Sequence, residues 1–297
     1  SATCAPGSTG RPAAARFVEE GGGRGGGDPR RALLGRGLEG RRMTPLKHRA
    51  YRAISKIHSL FSGKPQGLRT LLYHSVGTVL DHDPYGTSIS AELFEAHLRS
   101  LCALKDRFEF TPFAAPADPR PRLALTFDDG YADILRIAPR LAELSIPFTL
   151  FAAADFIRSG RAPYLCEAGL KELSRVPGAS IGSHGKTHIP LVRLTDKGLA
   201  EELRSSREYL SGLIGREVRA LSYPHGAVDR RVRDAAEEAG YALGGTSRYG
   251  ADLPGRNPLL LCRTEVTAWD SVPDLELKVS GAWDWFRFRR PDPAGQS

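Results

Sequence analysis

Leu123-Ala124-Leu125-Thr126-Phe127-Asp128-Asp129-Gly130 is a short apolar run that ends in two adjacent carboxylates and a glycine. A strand of this kind delivers both carboxylates to the rim of a sheet, where one can hold a metal ion while its neighbour handles a proton. Taken alone, the same residues also read as an Asp-Asp-Gly turn. A second short run, Ala179-Ser180-Ile181-Gly182, leads into Ser183-His184-Gly185-Lys186-Thr187-His188. Two imidazoles at i and i+4 can address one ion. With one carboxylate they make the three-ligand, open-position set that catalytic zinc uses.

A third segment, Leu221-Ser222-Tyr223-Pro224-His225-Gly226, follows the first two. In order and spacing the three resemble the polysaccharide deacetylases, carbohydrate esterase family four, also called the NodB-homology domain. The resemblance covers roughly residues 68–288. Ahead of the Asp pair, Leu71-Leu72-Tyr73-His74-Ser75-Val76 resembles the branch of bacterial deacetylases acting on poly-N-acetylglucosamine and other exopolysaccharides. In that branch an early Tyr-His strand end supplies the histidine that other members carry near the C-terminus.

The resemblance implies an α/β fold, a distorted (β/α)7 barrel. It implies removal of N-acetyl groups from an N-acetylated oligo- or polysaccharide, assisted by a divalent transition metal with zinc foremost. By motif position Asp128 is the general base, and Asp129, His184 and His188 are the metal ligands. The backbone N–H at Tyr223 is expected to hold the oxyanion, with Pro224 and His225 on the substrate side. Many members carry an arginine two residues before this proline, where it steadies the catalytic aspartate. Here that place is Ser222. Arg263, in Leu261-Cys262-Arg263-Thr264 of the last expected strand, is the replacement candidate, with an ordinary surface arginine as the competing reading. For the acid that protonates the departing amine, His74 comes first, His225 second and His82 third, since no histidine follows His225.

The net charge of +8 looks like a nucleic-acid signal until it is located. Residues 1–62 hold 12 Lys/Arg against 4 Asp/Glu, whereas residues 63–297 hold 30 of each. The catalytic region is therefore balanced, and nucleic acid is excluded as the expected partner. The cysteines form no Cys-x-x-Cys pair, so a thiolate metal motif is absent.

Residues 1–42 are rich in Gly and Arg and lack apolar periodicity, which marks them as a disordered extension. Met43 is the only methionine, and these residues read as translated upstream sequence ahead of a start at Met43. Residues 43–67 form a basic amphipathic helix and linker: Leu46, Ala50, Ala53, Ile54, Ile57, Leu60 and Phe61 share one stripe, among Lys47, Arg49, Arg52 and Lys56. That pattern suits a membrane surface or, equally, a stripe packed on the domain. Residues 68–290 are the deacetylase domain and 291–297 a tail. No export signal or bilayer-spanning run is found, so the expected location is cytoplasmic, peripheral to the inner membrane.

Strands are expected near Arg69–Tyr73, Leu123–Phe127, Phe148–Phe151, Ala179–Gly182, Ala220–Tyr223, Tyr241–Gly244 and Leu261–Val266. Helices are expected near Ala91–Lys105, Ala132–Leu144, Glu167–Ser174, Asp196–Ile214 and Arg230–Ala239, with Thr195 and Asp229 as N-caps. The chemical motifs then sit just after strand ends, the face where βα architectures build active sites. The aromatic stretch Leu275–Phe286 is read as core or partner surface. Two other functions compete with deacetylation: a deformylase or other amide hydrolase acting on a lipid-linked amino sugar, and a catalytically inactive saccharide-binding homologue.

Overall fold

Strand β1 (Leu68–Tyr73) is buried at every position, the pattern of a strand covered on both faces and the reason Leu71, Leu72 and Tyr73 run apolar without alternation. Around it the computed structural model describes residues 45–61, 63–80 and 83–289. The Gly/Arg-rich stretch, Met43, His82 and the C-terminal tail lie outside the described residues. The short strands β2 (Ser75–Val76) and β3 (Ser88–Ile89) pair with each other, and β4 (Glu109–Phe110) pairs with the start of β5 (Arg122–Phe127). Then come β6 (Phe148–Ala152), β7 (Ala179–Ser183), β8 (Ala220–Ser222), β9 (Leu243–Gly245), β10 (Ala251–Asp252) and β11 (Thr264–Glu265).

Strands β1, β5, β6, β7, β8 and β9 lie side by side in that order, all parallel. The chain entering β11 joins the two edges. Leu261 bridges Gly245 at the end of β9, while Thr264 and Glu265 align with Leu71 and Leu72 of β1. The sheet thus curls into a distorted (β/α)7 barrel, with β10 antiparallel at the foot of β1. Because every barrel strand is parallel, the ends of β1, β5, β7 and β8 and the chain at Arg263 converge on one rim.

The helices are α1 (Pro45–Ser59), α2 (Ala91–Cys102), α3 (Ile134–Glu143), α4 (Ala154–Ser159), α5 (Glu167–Leu173), α6 (Asp196–Ile214), α7 (Arg230–Glu238) and α8 (Val272–Val279). Thr195 and Asp229 accept hydrogen bonds from the N–H groups of Gly198 and Val232, capping α6 and α7 as their positions predict. Strand β9 begins later than the apolar pattern suggests, because the Tyr241 N–H is turned back to the Ala236 carbonyl at the end of α7. Helices α4 and α8 are not foreseen: α4 spans only 6 residues, too short for periodicity to register.

Helix α1 docks against α8 and the segment that follows it, with the side opposite to the one its pattern suggests. His48 is buried with Nε2 2.9 Å from Asp270 Oδ1, and Arg52 pairs with Asp274 at 2.7 Å. The Trp285 indole N–H donates to Ser55 Oγ at 2.9 Å. Leu46, Ile54, Ile57, Leu60 and Phe61 are all exposed, which overturns the packed-stripe reading. Among the C-terminal aromatics Trp283 is fully buried, so that stretch is in part core.

Candidate active site

Asp128 leaves β5 with its N–H bonded to the Tyr73 carbonyl at 3.0 Å, so the Asp pair is tethered to the chain just ahead of His74. The backbone then turns sharply: Asp129 has φ 73° and Gly130 φ 87°. Among the described residues four non-glycine residues have positive φ, and three of them are Asp129, His188 and His225. Such left-handed conformations cost about 1–3 kcal/mol each and persist where the surroundings over-determine them. Here they aim side chains into one cleft.

Arg263 holds Asp128. Its guanidinium donates to Asp128 Oδ1 at 2.7 Å and Oδ2 at 2.9 Å, and its Nε–H donates to the Thr246 carbonyl at 2.9 Å. Ser222 Oγ donates to Asp128 Oδ2 at 2.8 Å and accepts from Arg263 Nη2 at 2.7 Å. Arg263 is fully buried, which excludes the surface-arginine alternative. Burial pushes the Asp128 carboxyl up, but Arg263 and His184 outweigh it and hold Asp128 below the usual carboxylate range. The hydroxyl at the family's arginine position is therefore the third member of a buried Asp-Arg-Ser cluster.

Asp129, His184 and His188 form a group able to hold a metal ion, their ligand atoms all within 4.8 Å of one another. Asp129 Oδ1 lies 3.3 Å from His184 Nε2 and 3.2 Å from His188 Nε2. Ligands in a tetrahedral shell with bonds of about 2.0–2.1 Å sit about 3.3 Å apart, so these separations fit a zinc-sized ion. Asp129 Oδ1 is also buried with no hydrogen-bond partner, an acceptor whose want a cation would meet. His184 Nδ1 donates to the Ser222 carbonyl at 2.8 Å, which leaves Nε2 as the lone-pair nitrogen facing Asp129. Burial lowers the His184 pKa, but Asp128 and Asp129 outweigh it, so it is raised overall.

The two histidines meet because a loop, not a helix, sets their spacing. Gly185 adopts φ 75° and His188 φ 63°. The Lys186 and Thr187 N–H groups and the Thr187 hydroxyl all donate to Glu202 Oε1 on α6, at 2.9, 2.6 and 2.9 Å.

His74, Asp128, Asp129, His184, His188, Tyr223 and His225 line one cavity of about 210 Å³. His74 Nδ1 is buried in it without a hydrogen-bond partner. His225 packs against His188 with ring centroids 4.7 Å apart, and desolvation by the cleft together with His188 and His184 pushes its pKa down to about 4. Pro224 is buried. The Tyr223 N–H does not face the cleft: it donates to the Gly245 carbonyl at 3.2 Å. The oxyanion role expected at Tyr223 is corrected on that ground, since the β8–β9 ladder already commits this donor.

Glu202 and Gly245 matter to the site but are not singled out by the sequence. Nothing local distinguishes Glu202 from other helix glutamates. At Gly245 a Cβ would stand 2.8 Å from Arg263 Nε, so the glycine makes room for the guanidinium. A glycine inside a strand signals a close approach, and the pair Gly244-Gly245 held that signal.

Residues 115–244 match the family model for polysaccharide deacetylase. YxkH of Bacillus subtilis (strain 168), a protein named for the polysaccharide deacetylases, is 30% identical over 214 residues, covering 69% of this chain and 73% of that protein. Among solved structures, the Streptococcus pyogenes deacetylase PplD in complex with acetate superposes with a TM-score of 0.63 at 20% identity, covering 73% of this chain and 99% of that one. IcaB from Ammonifex degensii gives 0.62 at 24% identity, covering 74% and 98%. Both structural likenesses concern the fold.

Proposed function

Because this chain belongs to the polysaccharide deacetylase family, we propose that it removes N-acetyl groups from an N-acetylated saccharide of a bacterial surface or exopolysaccharide. Asp129, His184 and His188 would hold a divalent transition ion, with zinc first among the candidates. The observation that carries this reading is the convergence of Asp129 Oδ1, unpartnered and buried, with two imidazole Nε2 atoms beside the separately anchored Asp128. When bound, the ion would polarise the acetyl carbonyl and lower the pKa of a coordinated water toward about 7.

The protein's own groups divide the remaining work. Asp128 takes the proton of the attacking water; Arg263 and Ser222 fix its carboxylate plane and keep it ionised while it waits. His74, which lines the same cavity, gives a proton to the departing amine, which is a poor leaving group until protonated. The developing oxyanion needs a fixed donor, worth about 3–4 kcal/mol in the transition state. With the Tyr223 N–H committed and Pro224 lacking one, the next backbone donor bordering the cavity is His225, and we assign the role there. A structure with a tetrahedral phosphonate whose oxygen lies out of reach of the His225 N–H removes that assignment. His74 in this position is also what supports the exopolysaccharide branch.

Acetate and formate release measured across a panel of N-acylated saccharides, with and without chelator, tests the reading. Chelator-sensitive acetate release is expected. Formate release would favour an amino-sugar deformylase, and saccharide binding without turnover an inactive homologue.

A further inference from the structure

We propose that the outward face of α1 is a docking surface for an anionic phospholipid bilayer. The helix is fixed to the domain by polar contacts, His48 with Asp270, Arg52 with Asp274 and Ser55 with Trp285. Amphipathic helices of globular proteins ordinarily turn their apolar stripe to the core. Here the locks hold the stripe outward, with Leu46 78%, Ile54 45%, Ile57 62%, Leu60 79% and Phe61 83% exposed. At about 100° per residue Leu46, Ile54 and Ile57 share one face of a helix about 22 Å long, and Leu60 and Phe61 lie in the turn that follows Ser59. Contiguous apolar surface of this kind, left open, marks an interaction site.

Charge selects the occupant. Pro45–Ser59 contains no acidic residue, and the exposed Lys47 lies on one flank of the stripe with Arg49 and Lys56 on the other. Basic flanks bordering an apolar stripe place ammonium and guanidinium groups at headgroup level while the stripe enters the acyl boundary. The alternatives within reach meet like charge. Residues 1–44 carry 8 arginines against 4 acidic residues, and a second copy would bring its own basic flanks to the seam. Among the described residues no helix is long and apolar enough to cross a membrane.

The test is flotation of the full chain with vesicles of phosphatidylglycerol mixed into phosphatidylcholine, against phosphatidylcholine alone. Binding to the mixed vesicles, weakened by salt, is expected. Each basic residue near an anionic surface contributes about fivefold, so Arg49→Gln with Lys56→Gln should lower the partition coefficient about 25-fold. Ile57→Asp with Phe61→Asp should lower it about a hundredfold, from the loss of apolar burial. Melting temperature and acetate release from a soluble oligosaccharide should stay unchanged in both variants, which separates lost docking from lost folding. The proposal is overturned by absence of vesicle binding, by equal binding to neutral and anionic vesicles, or by variants that bind as the parent does. A dimer in light scattering that Ile57→Asp with Phe61→Asp disperses would assign the stripe to a second copy instead.

Discussion

Arg263→Met should cost this protein much of its stability, because the substitution strands Asp128. The carboxylate is 2% exposed and receives two hydrogen bonds from Arg263 and one from Ser222. Methionine fills comparable volume but leaves only the serine to balance a buried charge. Breaking a buried ion pair by removing one partner costs about 3–5 kcal/mol. At about 2–4 °C per kcal/mol for a domain of this size, the melting temperature should fall by about 6–20 °C. Asp128→Asn in the same background removes the stranded charge, so the double variant should regain about 2 kcal/mol or more over Arg263→Met, read as a coupling energy in a urea-denaturation cycle. Activity gives an independent reading. If Arg263 acts through Asp128, the double variant should lose no more kcat than Asp128→Asn alone, since residues working as a unit are non-additive. Additive stability losses, or a double variant slower than Asp128→Asn by the full Arg263→Met factor, would refute the pairing as the reason for this arginine.

Purified protein should bind about one divalent transition ion per chain, measured by elemental analysis, and an Asp129→Ala, His184→Ala, His188→Ala variant should bind none. Asp128→Asn should keep the ion yet lose about 10²–10⁴-fold in turnover, the share of a general base; turnover near the parent's would move that role elsewhere. His74→Ala should lower the deacetylation rate constant far more than ion affinity, whereas His225→Ala should chiefly weaken substrate binding; the reverse pattern would exchange the two assignments. Asp252, 1% exposed, has its pKa raised to about 7, chiefly by burial. A carboxyl raised above its unfolded value loses stability as pH rises from about 4 through 7. Asp252→Asn should therefore be stabilised relative to the parent at pH 8 and much less so at pH 5, in paired melting curves.

Much of the site is local in sequence, and that part is legible without coordinates. An apolar strand ending in Asp128-Asp129-Gly130 must present its carboxylates at a sheet rim, and His184 and His188 lie close enough along the chain to reach one ion by any compact loop. Capping side chains at Thr195 and Asp229 act within three residues, so α6 and α7 begin where their sequences say. The partners of those groups are another matter. Arg263 reaches Asp128 across 135 residues only because the chain entering β11 closes the barrel and Gly245 leaves room for the guanidinium. The Tyr223 N–H is withdrawn from the cleft by the register of β8 against β9, and register is a property of two strands, not of one. Helix α1 shows the limit most plainly. Its periodicity defines an apolar stripe but does not say which side faces the domain; His48, Arg52 and Ser55 decide that by meeting Asp270, Asp274 and Trp285, residues more than two hundred positions away. Periodicity and capping are set by near neighbours along the chain. Orientation and pairing depend on which distant surfaces the closed barrel brings into contact.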